Sequence, residues 1–243
     1  MFSIFSHSHT LLEANLFKDF TEWHCHLLPG VDDGAPDMDK SLRLLRRMEE
    51  VGVKCVHLTP HIMEDYPNTP ESLNERFSEL QTAYQGNIEL HLAAEQMLDN
   101  LFTERLDEGR LMTLHGDKVL VETSYYNPPY QMDNVLRDII ASDHTPVLAH
   151  PERYTYMEVS DYERLKGMGI LFQLNLGSLV GLYGPQAQKK AHMLIKHDWY
   201  DLCGTDTHSM HFYERLLQSK LKTNILDDVH RIIEKSINST FAD

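Results

Sequence analysis

The chain has 243 residues, 42% of them hydrophobic, with 22 Lys and Arg against 37 Asp and Glu, a formal net charge of −15. Length and apolar content suffice for a sizeable core, in one α/β domain or two small ones. The charge argues against a nucleic-acid surface, because phosphate backbones attract Lys and Arg, and against binding to an anionic membrane surface, which repels it.

Residues 1–19 read as an N-terminal extension. They have no basic start and no small-residue cleavage site after an apolar run, so a signal peptide is not expected. Ser6-His7-Ser8-His9 lies among serines with no strand pattern, and its two histidines read as solvated. From residue 20 onward, short apolar runs alternate with helical patterns. The expected strands are residues 20–26, 54–61, 88–96, 119–123, 146–150, 170–176 and 200–205. Met38, Leu42, Leu45 and Met48 recur at helical spacing and stop before Gly52. Thr69-Pro70-Glu71 carries an N-cap residue followed by proline in the first turn. Further helices are expected over residues 187–195 and 225–237.

Strand-then-helix units in this order imply parallel strands joined by helical crossovers. No Gly-x-Gly-x-x-Gly or Gly-Lys-Ser/Thr signature marks an open nucleotide-binding sheet. The expected fold is therefore α/β, a closed or slightly open TIM-like barrel. Residues 20–243 form one domain, since no segment rich in Gly, Pro or Ser divides them. No apolar run approaches transmembrane length. Cys25, Cys55 and Cys203 are odd in number and far apart, which fits a reducing, cytoplasmic setting. They also exclude a cysteine-dependent tyrosine phosphatase, whose Cys-x5-Arg motif would need arginine where Val31, His61 and Ser209 stand.

In such a barrel, function collects where strands end and βα loops begin. The polar residues that interrupt the apolar runs fall there. Strand one ends in His24-Cys25-His26 and strand two in Thr59-Pro60-His61. Strand three holds Ala94-Glu95, and strand four ends in Val121-Glu122. Strand five ends in His150-Pro151-Glu152-Arg153, and the last in Asp206-Thr207-His208. Residues i and i+2 of a strand share a face, so His24 and His26 can meet one ion, as can Asp206 and His208, while Cys25 points into packing. A carboxylate beside Val-Leu-Val is costly to bury unless a cation or hydrogen bonds compensate it. Imidazoles and carboxylates without a thiolate suit Mn²⁺, Fe²⁺ or Zn²⁺. The remaining histidines read as surface or satisfied core residues.

With these residues in view, the sequence resembles the PHP (polymerase and histidinol phosphatase) superfamily. Within it, the sequence is most similar to bacterial manganese-dependent protein-tyrosine phosphatases of capsule and exopolysaccharide operons. The resembling motifs are residues 24–34 (HCHLLPGVDDG), Thr59-Pro60-His61, Glu95, Glu122-Thr123-Ser124-Tyr125, Ala149-His150-Pro151-Glu152-Arg153, residues 177–181 (GSLVG) and Asp206-Thr207-His208. Glu22-Trp23 and Ile62 depart from the usual pattern. The resemblance implies a distorted barrel of about seven strands, (β/α)7 in type, and a site for three divalent ions, Mn²⁺ first, with Fe²⁺ or Zn²⁺ as alternatives. It assigns His24, His26, Glu95 and Asp206 to one ion, Glu95, Glu122 and His150 to a second, and Asp33, His61 and His208 to a third. Asp32 would brace the turn.

The reaction implied is hydrolysis of phosphotyrosine by metal-activated hydroxide, with Arg153 gripping the phosphoryl oxygens rather than pairing with Glu152. The implied partner is a tyrosine-phosphorylated protein, a bacterial tyrosine autokinase. Tyr125, Tyr126, Tyr130, Tyr154, Tyr156 and Tyr183 are candidates for an aromatic rim. A small-molecule phosphomonoesterase such as histidinol-phosphate phosphatase is the alternative. An amidohydrolase-like barrel is disfavoured, because Glu122 stands where that group commonly has a bridging lysine.

Overall fold

The computed structural model describes residues 7–238. Residues 1–6 of the expected extension and 239–243 of the expected domain lie outside that range. The strands are β1 (Ser8–Thr10), β2 (Thr21–Cys25), β3 (Cys55–Leu58), β4 (His61–Ile62), β5 (Glu89–Leu92) and β6 (Glu95–Met97). They continue with β7 (Lys118–Glu122), β8 (Thr145–Ala149), β9 (Leu171–Asn175), β10 (Leu202–Gly204) and β11 (Lys220–Lys222). Each expected strand forms. Two of them are split, β3 from β4 at Thr59-Pro60 and β5 from β6 at Ala93-Ala94. Pro60 has no N–H to give to a ladder, which favours the first break.

The strands assemble into a parallel six-stranded sheet, β10-β9-β8-β7-β6-β4, and a parallel three-stranded sheet, β2-β3-β5. Backbone bonds stitch both seams. Ala93 N donates to Leu58 O at 2.8 Å and Glu95 N to Pro60 O at 3.1 Å on one side. On the other, His26 N donates to Thr207 O at 2.9 Å and Asp206 N to His24 O at 2.7 Å. Among the described residues these nine strands form two sheets joined in this way, rather than one continuous ladder.

The helices follow their sequence signals. Helix Met38–Glu50 starts at Asp37, whose carboxylate accepts Lys40 N, and it buries Leu44, Leu45 and Met48. Thr69 caps Pro70–Ala83 through a capping box with Ser72. The expected helices near the C-terminal end are Pro185–Lys196 and Thr223–Asn238. No helix among the described residues is long and apolar enough to cross a membrane.

One irregularity positions the site. Between Glu22 and Cys25 the pairing of β2 with β3 slips by one residue. An extra residue inverts the alternation of faces beyond it. Trp23 therefore packs with Ala93, Leu114, Leu120, Val147, Ala149 and Leu202 in a small buried cluster. His24 and His26 nonetheless meet side chains from that same inner face. Glu95 lies two residues beyond Ala93 and Glu122 two beyond Leu120, so the small apolar cluster forms a floor beneath the carboxylates. Cys25 turns into the larger core, as expected.

The N-terminal segment differs from its sequence reading. Ser8–Thr10 is a strand, paired antiparallel with Lys220–Lys222, and Leu11, Leu16 and Phe17 are buried in the main core. A three-residue strand with two exposed positions leaves no period-2 pattern to read. His7 and His9 themselves are exposed.

Candidate metal centre

At the mouth where β2, β7, β8 and β10 end and where His61 opens β4 and Glu95 opens β6, nine side chains converge. Nε2 of His24 and Nε2 of His26 are 3.1 Å apart. His24 Nε2 lies 3.2 Å from Glu95 Oε2 and 3.4 Å from Asp206 Oδ1. His26 Nε2 lies 3.4 Å and 3.2 Å from the same two oxygens. Ligand atoms held about 2.0–2.2 Å from one cation sit roughly 3.3 Å apart, so this quartet has the spacing of a four-ligand site.

A second group shares Glu95. His61 Nδ1 is 3.1 Å from Glu95 Oε2 and 3.0 Å from Glu122 Oε1. Yet His61 Nδ1, Glu95 Oε2 and Glu122 Oε1 make no hydrogen bond, although all three are buried. Donor and acceptor atoms this close but misaligned for each other are suited to a common cation. His150 Nε2 lies 3.0 Å from Glu95 Oε1 and 3.9 Å from Glu122 Oε2. In the third group, Asp33 Oδ1 stands 3.3 Å from His208 Nε2 and 3.5 Å from His61 Nε2. Among the described residues the ligand atoms thus gather in three overlapping clusters, with His61 rather than His150 alongside Glu95 and Glu122. His61 faces both the second and third groups, and His26 lies close enough to join the third.

Other side chains aim these rings. His26 Nδ1 bonds Asp32 Oδ2 at 2.8 Å, and the other Asp32 oxygen accepts Gly34 N at 3.0 Å. Asp32 thus braces the turn, as expected, and also directs Nε2 of His26 inward. His24 Nδ1 bonds Gln173 Oε1 at 3.0 Å, and His208 Nδ1 bonds Asp206 O at 2.9 Å. A ring whose Nδ1–H is engaged this way presents a bare Nε2 lone pair to an ion. Asn175 Nδ2 donates to Asp206 Oδ2 at 3.1 Å, leaving Oδ1 toward the histidines. Gln173 and Asn175 were missed in the sequence. An amide within an apolar strand carries no spacing signal, although both lie on the inner face of β9.

The electrostatics are those of buried opposite charges. Burial works to lower the His24 pKa, but the Glu95 and Asp206 carboxylates outweigh it and hold it at about 9, so an ion at Nε2 binds in competition with a proton. Burial likewise opposes ionised Glu95, which His24 and His150 nevertheless hold well below the usual carboxylate range. Against its own burial, Asp32 is held down at about 2 by His26. Burial and Arg153 push His150 down, favouring the neutral imidazole that coordinates metals. His150 and Asp206 both adopt positive φ, 33° and 55°. Such backbone costs any residue with a side chain, though Asp and His adopt it more readily than most, and the surrounding bonds hold it.

Arg153 does not pair with Glu152. Its Nη1 donates to Asp206 Oδ2 at 2.6 Å and its Nη2 to the Tyr125 hydroxyl at 2.6 Å. Its guanidinium carbon lies 4.5 Å from the Tyr125 ring centre and 4.1 Å from that of Tyr183. Glu152 is instead buried against Asn175 N and the Tyr200 hydroxyl, and burial raises its pKa to about 7. Of the six rim candidates, Tyr125 and Tyr183 line the cleft, whose volume is about 450 Å³. Tyr154 is buried in the main core, and Tyr126 and Tyr130 are exposed. Trp23 and Ile62, the departures from the usual pattern, line none of it; both are buried in apolar packing.

Residues 20–234 match the family model described as capsular polysaccharide synthesis, CpsB/CapC. The chain is 27% identical over 195 residues to the tyrosine-protein phosphatase YwqE of Bacillus subtilis, covering 77% of this chain and 76% of that one. It is 26% identical over 208 residues to the tyrosine-protein phosphatase CpsB of Streptococcus agalactiae, covering 77% and 82%. In three dimensions it superposes with a TM-score of 0.75, at 23% identity, on a chain from the crystal structures of YwqE from Bacillus subtilis and CpsB from Streptococcus pneumoniae, described as metal-dependent tyrosine phosphatases; 88% of this chain and 86% of that one are covered. A zinc-bound amidohydrolase from Burkholderia ambifaria has a related fold, with a TM-score of 0.56 at 13% identity over 99% of this chain and 91% of that one.

Proposed function

Because the chain belongs to the CpsB/CapC capsular polysaccharide synthesis family, we propose that it is a metal-dependent phosphatase hydrolysing phosphotyrosine in proteins. Its substrate is a bacterial tyrosine autokinase that governs capsule or exopolysaccharide synthesis, and it works in the cytoplasm. Residues 20–243 act as one domain of distorted (β/α)7 type, preceded by residues 1–19 as an extension. His24, His26, Asp33, His61, Glu95, Glu122, His150, Asp206 and His208 hold up to three divalent ions, Mn²⁺ first. The observation that carries this reading is the buried meeting of His61 Nδ1, Glu95 Oε2 and Glu122 Oε1 without a hydrogen bond between them. A donor set of five imidazoles and four carboxylates suits Mn²⁺ or Fe²⁺ and lacks the thiolates typical of structural zinc.

Bound ions would supply Lewis acidity at the phosphoryl oxygens and lower the pKa of water. The chain's own residues do the rest. Arg153 has five N–H donors, of which Asp206 and Tyr125 take two, so the others remain for phosphoryl oxygens. The Tyr125 and Tyr183 rings both lie against the guanidinium, which fixes its fork before substrate arrives. Charge that develops on the phosphoryl group is met by a donor already in place. The same two rings give the cleft an aromatic wall suited to a phenyl ester.

The test is metal analysis together with hydrolysis of a phosphotyrosine peptide and of histidinol phosphate. It is run on the natural chain, on His24→Ala/His26→Ala and on His7→Ala/His9→Ala. The first pair loses metal and activity; the second keeps both. Equal behaviour of the two pairs, or turnover of histidinol phosphate above that of the peptide, would overturn the reading.

A further inference from the structure

We propose that this phosphatase selects peptides whose residues beside the phosphotyrosine are acidic, and that Lys40 and Arg43 read them. The inference rests on the phosphotyrosine reading above and adds the substrate's flanking chemistry to it.

The catalytic cleft opens directly into a second cleft of about 570 Å³, with which it shares Asp33, His208 and Ser209. The second cleft is lined on one side by Lys40 and Arg43 and on another by His211. All three are exposed. Lys40 and Arg43 are three residues apart on helix Met38–Glu50, so their side chains leave the same face. Arg43 is tied only by a surface ion pair with Asp39 at 3.0 Å, both partners being largely exposed. Such pairs are weak and exchange readily for another carboxylate.

Lys40 and Arg43 face a single carboxylate in this lining, that of Asp33. The chain carries 37 Asp and Glu against 22 Lys and Arg. The cleft of about 470 Å³ beside Met63 and Met97 is lined by Glu64, Asp65 and Asp99, has no Lys or Arg, and shares no residue with the catalytic cleft. Cationic side chains are thus placed on one of two clefts that adjoin the catalytic one; the other, of about 220 Å³, shares Tyr125, Arg153 and Tyr183 with it and carries no Lys or Arg beyond Arg153. A phosphotyrosine lodged at Arg153 puts its neighbouring residues into one of the adjoining clefts. In the one that holds Lys40 and Arg43, carboxylates gain two cations and a lysine side chain meets repulsion. Pro36 and Met210 give the same cleft an apolar wall for the peptide backbone to lie against.

The experiment measures kcat/KM at low salt on the metal-loaded enzyme. The substrates are free phosphotyrosine and three phosphotyrosine peptides, flanked on both sides by Glu, by Gln or by Lys. The natural chain is expected to favour the Glu peptide over the Lys peptide by about three- to tenfold, with the preference fading as salt is raised. Lys40→Ala/Arg43→Ala removes the preference, and Lys40→Glu/Arg43→Glu inverts it. Free phosphotyrosine is turned over equally by all three forms, which also shows that the variants fold. A natural chain without preference, or variants that retain it, overturns the inference while leaving the phosphatase reading standing. Failure of the natural chain on free phosphotyrosine and on every peptide overturns both.

Discussion

The side-chain oxygen of Gln173 lies 3.0 Å from Nδ1 of His24, so a strand that supplies none of the nine candidate ligands still decides how one of them points. The same oxygen accepts His150 N at 3.3 Å, tying two of the proposed ligands to one amide.

Gln173→Leu removes this acceptor with little change of volume. Loss of an orienting partner of this kind typically costs 10- to 100-fold in metal affinity. We expect Mn²⁺ affinity, read by calorimetric titration, to fall by about that factor, and Gln173→Glu, which still accepts from Nδ1, to restore most of it. Equal affinities in all three forms would show that His24 needs no orienter.

Arg153→Lys keeps the charge and loses the fork. The expected result is a fall in kcat of roughly 10²- to 10³-fold, the size seen when one pre-aimed donor to a transition-state oxygen is removed. Metal content measured on the same samples should stay unchanged, because Asp206 Oδ2 keeps Asn175 as a donor. A kcat near that of the natural chain would remove Arg153 from the reaction.

At Gly34 a Cβ would collide with the backbone and side chain of His26. Gly34→Ala must therefore push the turn away from the histidine it braces. Overpacking of this kind costs about 1–3 kcal/mol. The variant should melt earlier and bind Mn²⁺ more weakly, both readable in one thermal scan with and without metal.

His57 stacks between Trp23 and His91, with ring centres 4.4 and 4.9 Å away. Burial first, then the charges of His91 and His115, push its pKa down to about 3. Unfolded, the ring would titrate near ~6.5. Between those values the unfolded chain holds a proton that the folded chain lacks. Stability from this group is thus fully present above about 6.5 and declines as pH falls toward 3, by at most about 1.4 kcal/mol per unit. His57→Phe keeps the stack and should flatten that part of the urea-unfolding profile; an unaltered slope between pH 6.5 and 4 would refute the assignment.

Much of this was readable from the residues. Val119 to Glu122 and Pro146 to His150 are apolar runs ended by a polar residue, and that break marks both a strand end and a ligand candidate. His24-x-His26 could be read as a pair because a strand repeats every two residues. The slip in β2 could not be read, since an extra residue between Glu22 and Cys25 is defined only by its partner strand. Nor could the orienting amides, because Gln173 and Asn175 differ from filler only through what they touch across 149 and 31 residues of sequence. Asp32 announced a turn, but its second bond, to a ring six residues earlier, depends on how the loop folds back.

The antiparallel ribbon that joins Ser8–Thr10 to Lys220–Lys222 bears on how the molecule is made. On a ribosome the first of these strands emerges early and waits unpaired until the second is synthesised, at the far end of the chain. Closing so long a loop costs entropy that only the finished core offsets. The ribbon is therefore expected to zip up last, as a latch on a structure already folded, with a catalytic mouth complete before the latch engages.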